Sequence, residues 1–302
     1  MSTSYHVAVI GLGAMGMGAA RSCLRAGLTT YGIDLSEQAR SQLQQAGAAA
    51  VMADARPLAE TLDAVLLLVV NATQVRRILF GEEELARHLK PGTAIMVSST
   101  IAAEEASTLA AELAQLGLPM LDAPVSGGAI KADAGEMTVM AAGADAAFDK
   151  LAPVLDAVAG KLYRVGSEPG QGSTVKIIHQ LLAGVHIAGA AEAMALASKA
   201  GVSLDLMYDV VTHAAGNSWM FENRMPRVLA GDYQARSAVD IFVKDLTLVA
   251  DTAKALRFPL PLASTALNMF LSASNAGHGQ EDDSAVIKTF SGITLPGQEE
   301  RP

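Results

Sequence analysis

Lys176, His179 and Gln180 stand three and four residues apart in GQGSTVKIIHQ, residues 170–180. On a helix that spacing puts an amine, an imidazole and an amide on one face. A neutral amine is a general base, and its two neighbours can hydrogen-bond the hydroxyls of a small substrate. Ser173 or Thr174 can cap such a helix. The cap puts Lys176 in the first turn, where the dipole disfavours an ammonium. Partial burial acts in the same direction. The plainer alternatives are a surface lysine and a core histidine, and His179 alone reads as supportive rather than catalytic.

A second stretch is LDAPVSGG, Leu121 to Gly128, where a predicted strand runs into Pro124 and then Ser126, Gly127 and Gly128. Adjacent glycines free the backbone to aim N–H groups into a cavity, where they can hold a carboxylate. Ser126 adds a hydroxyl; a simple turn is the alternative. A third is Gly11-Leu12-Gly13-Ala14-Met15-Gly16, which follows a predicted strand and opens a predicted helix. There Gly11 permits the tight turn, Gly13 lets the backbone approach a pyrophosphate, and Gly16 allows helix to pack on strand. The helix start offers N–H groups to phosphates. Asp34 ends the next predicted strand, 18 residues after Gly16. A carboxylate there accepts hydrogen bonds from an adenosine ribose and repels a 2′-phosphate, so NAD is expected over NADP. Lys244 follows Asp240 by four and precedes Asp245; spacing alone reads as an ion pair on a solvated face. No His, Cys, Asp and Glu cluster has metal-ligand spacing, so no metal is expected.

The elements that must position these residues alternate through the first half. Strands are predicted at 6–10, 29–33, 64–69, 93–98, 120–123 and 137–142, and helices at 15–26, 36–46, 55–62, 72–79 and 103–116. Such alternation implies right-handed βαβ units: an α/β Rossmann domain with a doubly wound, mostly parallel sheet. RVGSEPGQGS, residues 164–173, reads as a linker. Beyond it only helical patterns appear, at 174–200, 204–214, 239–256, 261–276 and 284–290. We therefore expect a dinucleotide-binding domain over 1–165 and an all-α substrate and oligomerisation domain over 166–302, opening on a long helix.

The bulk numbers narrow the class. The 302 residues are 51% hydrophobic and carry a formal charge of −9, which argues against a nucleic-acid surface. Cys23 is the single cysteine, so no internal disulfide can form and a reducing, cytoplasmic setting is expected. The opening residues are short and polar, without the pattern of a signal peptide. The apolar run 181–197 includes His186 and Glu192 and is short for a membrane span, so a helix buried in protein is expected and no membrane partner. Its small residues suggest that chains pair, as a homodimer or homotetramer.

GLGAMG, DAPVSGG, GQG followed by Lys176, and KDL at Lys244 occur in the order that resembles the 3-hydroxyisobutyrate dehydrogenase family, over nearly the whole chain. The resemblance implies a Rossmann domain followed by an all-α domain, and NAD-dependent oxidation of a small hydroxy acid. It implies Lys176 as general acid/base and Ser126, Gly127 and Gly128 as the substrate turn. Asn71 and Thr100 become cofactor contacts. Lys244 moves beside the cofactor, against the reading from spacing. The region 216–226, with Trp219, is implied to lie near substrate. Many members carry Asn three or four residues beyond the lysine, where this chain has His179 and Gln180; an altered pocket is expected, with one or both side chains on substrate. KIIHQLLAGVHIAGAAEAMALA is most similar to the branch acting on a four-carbon polyol acid, oxidised at C2 to the 2-oxo acid. An aldehyde-acid reductase running in the opposite direction stays open, as does a dinucleotide-sensing module without catalysis.

Overall fold

The computed structural model describes residues 4–82 and 84–296; residues 1–3 of the polar opening lie outside it. The chain divides into two compact units between Lys176 and Ile177. In the first, the order is β1 (His6–Ile10), α1 (Ala14–Arg25), β2 (Thr29–Ile33), α2 (Glu37–Gln45), β3 (Ala50–Met52), β4 (Ala64–Leu67), α3 (Ala72–Phe80), α4 (Leu85–His88), β5 (Ala94–Val97), α5 (Ala103–Gln115) and β6 (Met120–Asp122). Then come β7 (Val125–Ser126), α6 (Gly128–Ala134), β8 (Met137–Ala142), α7 (Asp145–Val158) and β9 (Ala159–Gly166). The long helix α8 (Gln171–Lys199) starts here and continues into the second unit.

The strands form one sheet in the order β3-β2-β1-β4-β5-β6-β8-β7, with β9 also on β8. The first six run parallel, while β8 is antiparallel to β6 and β7. Strands buried on both faces read as continuous apolar runs, which is why AVLL and AIMV sit at its centre. Alternate side chains divide between two cores. Val7, Val9, Leu66 and Met96 pack on one side, and Ala8, Ile10, Val65, Leu67, Ile95 and Val97 on the other.

Several local expectations fail for identifiable reasons. The three-residue β3 and two-residue β7 are too short to show an alternation. The segment read as a linker is no linker: its start belongs to β9, whose Lys161, Tyr163 and Arg164 are polar or half-exposed, and its end is the first turn of α8. The helices α7 and α10 (Trp219–Leu229) hide behind interior prolines, Pro153 and Pro226. Residues 56–61 form a 3-10 turn instead of an α-helix, as do 283–289.

The second unit is helical, with α9 (Leu204–Thr212), α10, α11 (Val239–Ala255) and α12 (Pro261–Ala273) around the rest of α8. Its core includes Ile187, Met194, Phe221, Met225 and Leu246, with Phe242 stacked on Phe270 at 5.2 Å between ring centroids. Arg224 donates two hydrogen bonds to the fully buried Asp283, at 2.6 and 2.8 Å, and Arg227 one to Asp282 at 2.6 Å. These pairs clasp α10 to the turn 283–289. Burial pushes the Asp283 carboxyl above its ordinary value, and Arg224 offsets part of that rise. By length and composition α8 could cross a membrane, but half of its most apolar window is buried within the protein.

Candidate functional site

The sheet order reverses at β1, which pairs with β2 on one side and β4 on the other. Ligands of such sheets bind outside the carboxyl ends of the strands at this reversal. The glycine loop is at that end of β1. Gly11 has φ +91°, and a Cβ there would lie 2.7 Å from the Leu68 carbonyl oxygen. A Cβ at Gly16 would lie 1.7 Å from the Gly11 oxygen. At Gly13 a Cβ would meet no protein atom within 4 Å. Two of the three glycines are thus demanded by the fold, whereas the third keeps a side of the loop bare, which fits close approach of a pyrophosphate. Ala14 and Met15 open α1, whose first N–H groups have no partner within the helix.

Asp34 follows β2 and is tied to the same loop. Its carboxylate accepts hydrogen bonds from the N–H of Leu12, at 2.6 Å, and of Ser36, at 2.8 Å. The Arg40 guanidinium donates to the backbone oxygens of Asp34 and Leu35, which holds the bend after β2. A carboxylate fixed beside the glycine loop is the group that an adenosine ribose requires, so the residues present fit NAD.

The next strands deliver further residues to the same edge. Asn71, beyond β4, is the N-cap of α3: its Oδ1 accepts from the Gln74 N–H at 2.9 Å, and Gln74 Oε1 accepts from the Val70 N–H at 2.8 Å. This reciprocal capping fixes where the loop before α3 runs. Thr100 follows β5 and is half-buried. Ser126 ends β7, and Gly127 and Gly128 have φ +134° and +71°, so the turn into α6 takes a path that favours glycine.

Lys176 is only 5% exposed. Its place in the helix differs from expectation: α8 starts at Gln171, so Ser173 and Thr174 lie inside it and Lys176 is in the second turn. The dipole argument weakens accordingly, because the effect fades beyond the first turn. The cap itself is a residue that sequence reasoning missed. The buried Asp122 carboxylate, at the end of β6, accepts from the N–H of Gly170 (2.7 Å), the N–H of Ser173 (2.8 Å) and the Ser173 hydroxyl (2.7 Å). Burial pushes this carboxyl upward, against the pull of those bonds. Asp122 thereby joins the strand leading to Ser126 with the helix carrying Lys176. An acid closing an apolar run was the available signal.

In the second unit, Gln180 Nε2 donates to the buried Asp245 carboxylate at 2.5 Å, and His179 Nδ1 lies 3.0 Å from Gln180 Oε1. Lys244 Nζ lies 2.7 Å from Asp245 Oδ1. Asp240, four residues before Lys244, accepts hydrogen bonds from Ser274 and Gln280. Adjacent residues on a helix seldom face each other, so spacing gave no hint of the Lys244–Asp245 pair. Trp219 is half-exposed at the start of α10. Among the described residues no group of three or more His, Cys, Asp or Glu side chains could hold a metal ion.

Residues 6–166 match the family model described as the NAD binding domain of 6-phosphogluconate dehydrogenase. Residues 170–290 match that described as NAD-binding of NADP-dependent 3-hydroxyisobutyrate dehydrogenase. An L-threonate dehydrogenase of Escherichia coli is 70% identical over 295 residues, 98% of each chain. One from Pectobacterium atrosepticum is 68% identical over 301 residues, 100% of this chain and 99% of its own. A solved 3-hydroxyisobutyrate dehydrogenase from Salmonella typhimurium is 69% identical, with a TM-score of 0.92 over 95% of this chain and 100% of that one.

Proposed function

We propose, for a chain that belongs to the 3-hydroxyisobutyrate dehydrogenase family of NAD-dependent hydroxy-acid dehydrogenases, that the reaction is oxidation of L-threonate at C2 to 2-oxo-tetronate. The observation that carries the chemistry is the burial of Lys176, 5% exposed, on the helix face it shares with His179 and Gln180. A desolvated amine is held toward its neutral form, and a neutral amine can take a hydroxyl proton.

When bound, NAD accepts hydride at nicotinamide C4. The chain's own residues do the rest. Lys176 Nζ takes the proton of the C2 hydroxyl as the C2–H bond breaks. The N–H groups of the Ser126-Gly127-Gly128 turn and the Ser126 hydroxyl hold the substrate carboxylate. His179 or Gln180 holds a further hydroxyl, which suits a polyol acid. Asp34 receives the adenosine ribose and disfavours a 2′-phosphate. Asn71, Thr100 and Lys244 line the remainder of the cofactor's path. Together these contacts fix distance and angle, the protein's share in a hydride transfer.

The stripe Val175, Ile178, Leu182 and Leu196 leaves large apolar side chains exposed on α8. That exposed stripe is a surface a second copy would cover, which supports a homodimer or homotetramer. The lone buried thiol, Cys23, supports a cytoplasmic setting.

The test is absorbance at 340 nm with purified protein, NAD or NADP, and a panel of C3–C5 hydroxy acids. L-Threonate with NAD is expected to give the highest kcat/KM. A higher value for 3-hydroxyisobutyrate would shift the assignment to the activity named for the Salmonella typhimurium structure. No absorbance change with any acid would leave a sensing module.

A further inference from the structure

Gln180 lies between two groups with different hydrogen-bonding capacities. On one side is the Asp245 carboxylate of α11, 2% exposed and 2.5 Å from Gln180 Nε2. On the other is His179 Nδ1, 3.0 Å from Gln180 Oε1. The second oxygen of Asp245 faces Lys244 Nζ at 2.7 Å. A carboxylate beside an ammonium accepts hydrogen bonds and donates none. It can therefore face the NH₂ end of the amide but not the carbonyl end. That orientation turns the amide oxygen toward the imidazole. An amide oxygen also only accepts, so the proton of a neutral His179 must be on Nδ1. In a neutral ring this leaves Nε2 with acceptor character. The opposite tautomer would set two acceptors against each other at 3.0 Å.

We infer that Asp245 is a positioning residue: through the Gln180 amide it sets the tautomer of His179. The acceptor nitrogen so produced is on the helix face that carries Lys176, and there it favours a substrate bearing a hydroxyl over one bearing a methyl group. This last step rests on the hydroxy-acid reading above; the tautomer itself does not. Asp245 touches neither substrate nor cofactor in this scheme; it acts on His179 through Gln180, and its other oxygen holds Lys244. The arrangement gives a physical reason for glutamine in place of a shorter asparagine: its extra methylene lets one amide reach both the carboxylate and the neighbouring ring.

The experiment is nitrogen NMR of the full-length protein, labelled at its histidine rings, near pH 9, where imidazoles are neutral. The His179 signals are identified by their loss in His179→Asn. The inference expects a protonated Nδ1 and a bare-type Nε2 in the wild type. It expects a mixture or reversal in Asp245→Asn, whose own amide no longer dictates which way Gln180 turns. Wild-type protein protonated on Nε2 overturns it. So does an unchanged tautomer in the variant. Should Asp245→Asn fail to fold, Gln180→Leu breaks the same relay while leaving the Lys244–Asp245 pair in place, with the same expectation and the same overturning result. A kinetic arm gives a second readout. The ratio of kcat/KM for L-threonate to that for 3-hydroxyisobutyrate should fall about tenfold in the variant, mostly through KM, a loss equivalent to about 1.4 kcal/mol. An unchanged ratio removes the specificity step. If the wild type oxidises no hydroxy acid, the functional reading fails, while the NMR result still decides the tautomer.

Discussion

In the first unit the groups proposed to meet ligand are mostly backbone: a bare loop at Gly13, the opening turn of α1, and the glycines after Ser126. In the second they are side chains, His179, Gln180 and Lys244, tied together through the buried Asp245. The interiors differ in the same sense. The sheet of the first unit is filled by aliphatic residues on both faces, whereas the second buries Arg224 with Asp283 inside its core. A backbone site binds what every dinucleotide shares, its phosphates. A side-chain site can be altered one residue at a time, and His179 and Gln180 belong to that kind. Phosphate binding and substrate choice are thus assigned to different kinds of structure.

The comparison can be broken most forcefully at Lys176, the last residue of the first unit. Lys176→Ala should lower turnover by about 10² to 10⁴, the scale of a lost general base, while NAD affinity measured by fluorescence titration stays within about twofold. Retained turnover would move the chemistry elsewhere. Next comes the buried pair. Arg224→Met alone strips the buried Asp283 carboxyl of its paired donors, and urea unfolding should show a loss of about 3–5 kcal/mol. Adding Asp283→Leu should recover most of it. If the single variant is harmless, the second unit is held by its apolar core alone.

The glycine loop offers a finer division. Gly16→Ala puts a methyl group against the Gly11 oxygen and should cost roughly 1–3 kcal/mol of stability. Gly13→Ala meets no protein atom, so its thermal midpoint should match the wild type while the Kd for NAD rises about tenfold, or about 1.4 kcal/mol. Equal effects of the two on stability would refute the distinction drawn between them. The smallest perturbation is chemical. Burial pushes the Cys23 thiol up to about 12. Alkylation at pH 8 should therefore wait for opening of the first unit, with native labelling about 10³-fold or more slower than in urea.

How much was legible along the chain follows the same division. GLGAMG, the acid after β2 and the alternating apolar runs announce a dinucleotide fold, because turn geometry and strand periodicity depend on residues a few positions apart. Interior prolines concealed α7 and α10, since a local reading treats proline as a stop while packing can hold a helix through it. The polar composition of residues 164–173 concealed the end of β9 and the start of α8.

By itself, then, the sequence determined the Rossmann core, the glycine loop with Asp34, and the face that carries Lys176, His179 and Gln180. Tertiary structure alone decided that Asp122 caps α8 and that Asp245 holds Gln180. Those bonds join residues 48, 51 and 65 positions apart. Nothing local distinguishes a carboxylate destined for such a partner from one destined for water: the choice is made when burial strips its hydration and leaves hydrogen-bond donors as the replacement.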